Sequence, residues 1–519
     1  MAGRPCALRL RAPFRAVFAI LAASGLVLAS PAGAAVFTVT KTADGNDGAC
    51  NADCSLREAV LAANAVPGST VIVPAGYYRL SLPPPARVAG TPGDGSGGNL
   101  VVNAPMTIQG AGRDVTIIDP RPSADEPAVD RVLHVWVDGD LTLSNVTITG
   151  SALPELLAPG VGADHGAAVG VSAGKLRIRD SAIRDNWTNG AGGALAITNI
   201  ERTPAEVEIT RTQITDNVAR GAGGAIFSVN STLTITDSTI ARNRSLGVGG
   251  GGGIMNMNTG DRNFTPMALL RVVRSTIAYN QSGDPEAEEP INGVGVGGGI
   301  FNSNGRVEIE NSTIVHNRAQ GLYLGEVIGW LPDNGRGGGV ATWTPGLDEP
   351  EDTTVIVNST IAWNEGKAGS QLHMKADSPH PNKVELANTL VIGDGSDPNC
   401  RGWGGQEGFL SHGGNVSSDA SPCQLDLASD RVNAGGVVAG ELADLGGPTE
   451  TLALLDGSPA LALGVPDWCP ERDQRGALRR VPCDSGAVEA VAVPEAGAVA
   501  GAAAAAGALA GLRARRRRA

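Results

Sequence analysis

The chain has 519 residues, of which 72 are Gly and only 3% are aromatic. That balance argues against an ordinary globular enzyme core, and the lack of a three-residue Gly period excludes collagen. The formal net charge is −13, but nine Arg lie in residues 1–35 and 496–519; setting these aside leaves 31 basic against 53 acidic residues, a net −22 that disfavours a nucleic-acid partner.

Residues 1–35 read as a secretory signal. Arg4, Arg9, Arg11 and Arg15 precede an apolar run from Ala16 to Leu28, and Ala32-Gly33-Ala34 is a small-residue cleavage site. An exported chain is therefore expected. Beyond Cys6, six cysteines remain, an even number that suggests disulfides. Six cysteines can pair in many ways. The expected pairing is between neighbours in one local segment: Cys50 with Cys54, Cys400 with Cys423, and Cys469 with Cys483. No C-x-x-C spacing offers a zinc site, and no cofactor is called for.

Residues 36–125 read as a cap and the first turns of a longer element. In "CSLREAVLAANAVPG", Ser55 and Glu58 have the spacing of a capping box. Leu56, Ala59, Val60 and Ala63 fall on one helical face, and Pro67-Gly68 stops the helix. A strand-like "STVIVPAGYYRL" follows.

Residues 126–395 repeat themselves. Aligned on a final asparagine, the units are LRIRDSAIRDN (176–186), VEITRTQITDN (207–217), LTITDSTIARN (233–243), LRVVRSTIAYN (270–280), VEIENSTIVHN (307–317) and TVIVNSTIAWN (354–364), with a degraded seventh, VELANTLVIGD (384–394). The final asparagines are 31, 26, 37, 37 and 47 residues apart, so the unit is constant while its connection varies. Positions one to four alternate apolar and polar, as in a half-buried strand. Isoleucine returns at position eight, and a Gly-Gly-small-aliphatic corner precedes most units: GGAL (192–195), GGAI (223–226), GGGI (251–254), GGGI (297–300) and GGGV (337–340).

Such short strands recurring at each turn describe a parallel β-helix, in which each coil covers the next at about 4.8 Å. A propeller would need longer and more even blades. The isoleucines are expected to form an internal column. Asn186, Asn217, Asn243, Asn280, Asn317 and Asn364 are expected to form a hydrogen-bonded ladder at a turn.

Four parts of the chain resemble known families. Cys54-Ser55-Leu56-Arg57-Glu58-Ala59 resembles the signature of the CSLREA domain of bacterial surface proteins. "MTIQGAGRDVTIID" and the repeats resemble the right-handed β-helix that usually follows it. Over residues 396–490, "GGNVSSD" (413–419), "DLGGPTETLALLDGSPAL" (444–461) and "DQRGALRRVPCDSGAVE" (473–489) resemble the choice-of-anchor Q domain. Residues 491–519 begin with Val493, Pro494 and Glu495, continue with an apolar run from Ala496 to Leu512, and end with Arg513 and Arg515 to Arg518. That order resembles the PEP-CTERM sorting signal. It implies a membrane anchor through this segment and an exosortase-type processing partner in a Gram-negative bacterium. The resemblances together imply an all-β, right-handed parallel β-helix with a short N-terminal capping helix, displayed at the cell surface or in the matrix.

Catalytic signatures are thin. "RVLHVWVDGD" (131–140) resembles the Trp-Ile-Asp-His stretch of pectate lyases, with Gly139 in place of the histidine. The adjacent Asp-Asp, Gly-His-Gly and Arg-Ile-Lys elements of polygalacturonases do not occur, and the six histidines are scattered. Asp138 and Asp140 are the remaining candidate acids, and Asp94 alone is too few for Ca²⁺. GGAI with FSVN (223–230) and GGGI with FNSN (297–304) resemble the tetrapeptides of chlamydial polymorphic membrane adhesins. Long loops at 151–165, 255–269, 281–295, 321–336 and 343–353 could bind a partner, with Trp330 and Trp343 as aromatics for sugar rings or as loop anchors. The expected role is structural, adhesive or polysaccharide-binding, with an extracellular polysaccharide or surface protein as partner; the alternative is a diverged polysaccharide lyase or glycoside hydrolase. A cleft lined by three or more acids beside Arg or Lys would favour the enzyme. An aromatic strip without such a cluster would favour binding.

Overall fold

The computed structural model describes residues 33–85, 93–128, 130–153, 165–200, 203–247, 249–259, 268–284, 295–320, 335–344, 353–376, 384–402, 408–438 and 440–490. By contacts the chain divides after Gly33, and every strand lies in the unit from Ala34 onward. The signal-like run, the apolar tail and Val493, Pro494 and Glu495 fall outside the described residues.

The strands form four parallel sheets, each built from one strand of every coil it crosses. Sheet A runs from Val36–Thr38 to Phe409–Ser411 and sheet B from Gly76–Arg79 to Val416–Ser417. Sheet C runs from Leu100–Val102 to Cys400–Gly402, and sheet D consists of two-residue strands from Ala152–Leu153 to Arg318–Ala319. Pairing is in register, so Leu176 lies beside Val207 and Ile183 beside Ile214. This is a parallel β-helix.

The eleven-residue unit explains its own geometry. Positions one to four lie in sheet A and position five turns left-handed: φ is +51° at Asp180, +47° at Arg211, +52° at Asp237 and +46° at Arg274. Positions seven to nine enter sheet B, and position ten turns left-handed again, from Asp185 at +56° to Trp363 at +46°. A side chain other than Gly, Asn or Asp costs roughly 1–2 kcal/mol in that region, so Arg, Tyr, His and Trp at these corners need compensation. The first glycine of each Gly-Gly corner is also left-handed, as at Gly223 (+66°) and Gly297 (+62°). A Cβ on Gly298 would sit 2.4 Å from the Gly338 carbonyl oxygen, which is why the corner tolerates no side chain.

Inside, Ile183, Ile214, Ile240, Ile277, Ile314 and Ile361 stack fully buried. Each such side chain contributes about 1.5–3 kcal/mol by leaving water. The six asparagines at position eleven are also buried. Each Nδ2 donates to the next Oδ1: Asn186 to Asn217 at 2.9 Å, Asn217 to Asn243 at 3.0 Å, Asn243 to Asn280 at 3.0 Å, Asn280 to Asn317 at 2.9 Å and Asn317 to Asn364 at 3.0 Å. The degraded seventh unit has Asp394 at this place, and the ladder ends instead on Gln371, whose Oε1 accepts from Asn364 at 2.8 Å.

At the N-terminal end, helix α1 (Leu56–Ala65) covers the first coils. Ser55 caps it, and both halves of the capping box with Glu58 are present. Arg57 is fully buried in a two-pronged pair with Asp44 (2.9 and 2.9 Å) and donates to the carbonyls of Gly95 and Gly98. Disulfides join Cys50 to Cys54, Cys400 to Cys423 and Cys469 to Cys483.

The stack runs on past residue 395, since Cys400–Gly402, Phe409–Ser411 and Val416–Ser417 are the last strands of sheets C, A and B. The chain then folds back along the outer face of sheet B. Gln474 donates to the hydroxyls of Thr276 (3.0 Å) and Thr449 (2.9 Å) and accepts from Thr313 (2.6 Å) and Thr451 (3.1 Å). Arg479 reaches Asn311 at 2.7 Å, and Asn358 donates to the Asp484 carbonyl. Val437, Val438 and Leu452 close an apolar seam over Val315, Ala362 and Leu390.

Candidate functional site

The outward residues of position ten form a row on the solenoid flank. In the early coils the row is charged, and Arg242 pairs with Asp216 at 2.8 Å. It then becomes aromatic. The Tyr279 and His316 rings stack at 5.1 Å with a 12° interplanar angle, and His316 and Trp363 at 5.8 Å with 19°. Ring stacking offsets part of the left-handed backbone cost at these corners. The next unit has Gly393 here, where a Cβ would lie 2.2 Å from Asn399 Oδ1, so the aromatic row stops at Trp363.

A groove of about 570 Å³ opens beside the end of this row. Its walls come from equivalent places in three successive coils: His316 and Arg318, then Trp363, Glu365 and Lys367, then Asp394 and Asp397, with Gly440 of the returning segment at the rim. Arg318 lies 3.4 Å from Glu365, and Lys367 lies 3.0 Å from Asp397. Asp394 Oδ1 accepts from Ser396 Oγ (2.7 Å) and from the Ser396 amide (2.9 Å), and these bonds hold its carboxyl below the usual range. The groove thus gathers three acids and two bases. Each acid has a partner in a cation or in Ser396.

The residues expected to matter lie elsewhere. Asp140 is at the start of the sheet A strand Asp140–Ser144 and pairs with Arg177 at 2.5 Å. Asp138 is exposed on the preceding bend. The two are not drawn into the groove. Asp94 caps its own loop through Ser96. Trp343 packs with an apolar patch around Met255 and Phe301 on the outside of sheet C, and Lys375 Nζ lies 4.6 Å from its ring centre. Trp330 and most of the long loops lie outside the described residues.

The other titratable residues are dispersed. His134 Nε2 is 3.0 Å from Ser172 Oγ on sheet C. His412 stacks on Trp468 and contacts Glu385 at 2.9 Å. His373 is buried on sheet C, and burial, with Arg336 adding to it, pushes its imidazole down to about 3. Near the first coils, burial alone would raise the Asp119 carboxyl, but Arg121 at 2.7 Å and the Tyr77 hydroxyl at 2.5 Å together hold it below the usual range. Among the described residues no group of three His, Cys, Asp or Glu is placed to hold a metal ion, and no helix is long and apolar enough to cross a membrane.

Taken singly, His316 is one of six scattered histidines, and nothing in that view points to the groove. The signal was available: Tyr279, His316 and Trp363 occupy one repeat position in consecutive units, and in-register pairing must then bring the rings together.

A family model described as a right handed beta helix region matches residues 131–327, and the fold is a right-handed parallel β-helix. No curated protein matches the sequence. Among solved structures, the chain is similar to pectate lyase Pel9A with 15% identity, covering 88% of this chain and 96% of that one, at a TM-score of 0.44. It is similar to the A-module of the Azotobacter vinelandii mannuronan C-5 epimerase AlgE6 with 15% identity, covering 72% and 99%, at 0.36. It is also similar to the catalytic domain of an Asp-to-Ala variant of a GH87 alpha-1,3-glucanase in complex with nigerose, with 10% identity, covering 73% and 69%, at 0.36.

Proposed function

We propose that this protein is an exported β-helix scaffold of a Gram-negative envelope, and that it holds a polysaccharide in the groove beside Tyr279, His316 and Trp363. The observation that carries this reading is the in-register aromatic row ending in a groove lined by paired charges. Aromatic side chains accept the C–H-rich faces of sugar rings, while a few placed polar groups orient the hydroxyls. Three disulfides and the signal-like residues 1–35 support export. The tail at 491–519 supports membrane attachment and processing by an exosortase-type enzyme.

A second reading, a polysaccharide lyase or hydrolase, draws on Glu365, Asp394 and Asp397 beside Arg318 and Lys367, which is the composition set out above as favouring an enzyme. The pairing of these groups favours binding over catalysis, because a carboxylate held by a cation or by Ser396 is a poor proton donor. Incubating the purified protein with a panel of polysaccharides, with and without Ca²⁺, tests both readings. Retention without shortened chains is expected. Release of unsaturated or reducing oligosaccharides would establish the enzyme, and no retention of any kind would leave display or protein adhesion.

A further inference from the structure

We infer that the ligand of this groove is an uncharged glycan lying along the coil axis, with one sugar ring against Trp363 and its hydroxyls on the Lys367–Asp397 and Arg318–Glu365 pairs. This rests on the polysaccharide-binding reading and specifies its ligand.

The direction follows from the repeat. The groove walls are the same places in three successive coils, so its long dimension crosses coils at about 4.8 Å each. The rings of the aromatic row advance by 5.1 and 5.8 Å along the same line. An extended pyranose chain advances by a comparable step, so it can present successive rings to successive coils. A chain lying across the flank would meet one coil and leave it.

The absence of ligand charge follows from the pairing. Arg318 and Lys367 each already face a carboxylate, at 3.4 and 3.0 Å, and Asp394 adds a third carboxylate. The formal charge of these five groups is −1, within a chain of net −13. A polyuronate would bring its carboxylates against this excess and gain no free cation. A neutral glycan meets a different surface: a cation beside a carboxylate offers a donor and an acceptor side by side, which suits neighbouring hydroxyls. Gly393 ends the row beside the site, because a Cβ there would lie 2.2 Å from Asn399 Oδ1 and no further ring can follow Trp363.

The test is affinity electrophoresis and calorimetry of the purified protein with a soluble neutral β-glucan, a neutral xylan, polygalacturonate and alginate, at low and high salt. The expected result is binding of a neutral glycan with little salt dependence. Trp363→Ala should weaken it roughly tenfold, and Lys367→Ala several-fold. Leu478→Ser, on an exposed residue away from the groove, should leave it unchanged. If Trp363→Ala misfolds, the exposed Lys367 supplies the same test. Retention of a polyuronate that is lost in both groove variants would overturn the uncharged ligand while leaving the groove as a polysaccharide site. Binding of a neutral glycan unaffected by either variant would overturn the site. Binding of none of the four would overturn the inference together with the reading beneath it.

Discussion

The same repeat position does different work in the two halves of the solenoid. In the early coils, position five carries Asp180, Arg211, Asp237 and Arg274, and neighbouring coils pair two by two: Arg211 with Asp180 at 2.7 and 2.8 Å, and Arg274 with Asp237 at 2.8 and 3.0 Å. The later coils place Asn311, Asn358 and Asn388 there, and these receive the returning C-terminal segment through Arg479, Asp484 and Val465. The backbone is left-handed at all seven corners. What differs is the partner that compensates the corner. A charged side chain finds it on a neighbouring coil. An asparagine tolerates the conformation itself and keeps its amide for a distant segment. The solenoid is therefore a uniform ladder whose side chains decide which flank is covered.

Breaking the covered half should have the largest effect. Arg479 is buried, with Nη1 3.4 Å from Glu489 and Nη2 on Asn311. Arg479→Ala should cost about 3–5 kcal/mol in chemical denaturation, because it strands buried partners. Hydrogen exchange should show lost protection in the sheet B strands Thr276–Ala278 to Leu390–Ile392, while Thr147–Thr149 and Ala182–Arg184 stay protected. Equal loss in both halves would show that the segment does not selectively hold the later coils.

The asparagine ladder crosses both halves and should not distinguish them. Asn217→Ala and Asn280→Ala each remove a buried side chain that donates and accepts within the ladder. Each should cost about 2–3 kcal/mol, and a clear inequality would mean that one half relaxes around the gap.

Acid should separate the halves. His373, in the later coils, has a folded-state value of about 3, below the ordinary 6.5. The unfolded chain takes up the proton first, so stability present above pH 6.5 is lost as pH falls toward 3. The slope should approach about 1.4 kcal/mol per pH unit within that window, and His373→Phe should flatten it in melts taken across pH. An unchanged slope would place the acid sensitivity elsewhere.

The smallest effect is the sharpest probe of the comparison. Arg211→Asn writes the later-coil residue into an early coil. It loses an exposed pair worth about 0–1 kcal/mol and relieves a left-handed corner that costs roughly 1–2 kcal/mol, so stability should stay level or rise by up to about 2 kcal/mol. A large loss would mean that the Asp180–Arg211 pair holds the corner.

Legibility followed repetition. The unit, its buried isoleucines and the asparagine column could be read because in-register stacking makes one residue's environment recur in every coil. The capping box at Ser55 and Glu58 was legible because it is local. Arg57 was visible as a motif residue, but its partner Asp44 was not, since nothing local identifies the carboxylate that will meet a buried guanidinium. The groove was half legible: Tyr279, His316 and Trp363 share a repeat position, but Asp394 and Asp397 come from a coil where the repeat has decayed, and Gly440 comes from the segment that returns.

By itself, the amino-acid pattern determined the parallel β-helix, its internal columns and its N-terminal cap, because these depend on periods of two and eleven residues and on contacts within a turn or between equivalent places. Only the tertiary structure decided that Gln371 ends the ladder, that Gln474 and Arg479 clasp the flank from 161 and 168 residues away, and that an aromatic row opens into a groove. Those contacts occur once each, and a contact made once leaves no period in the chain that forms it.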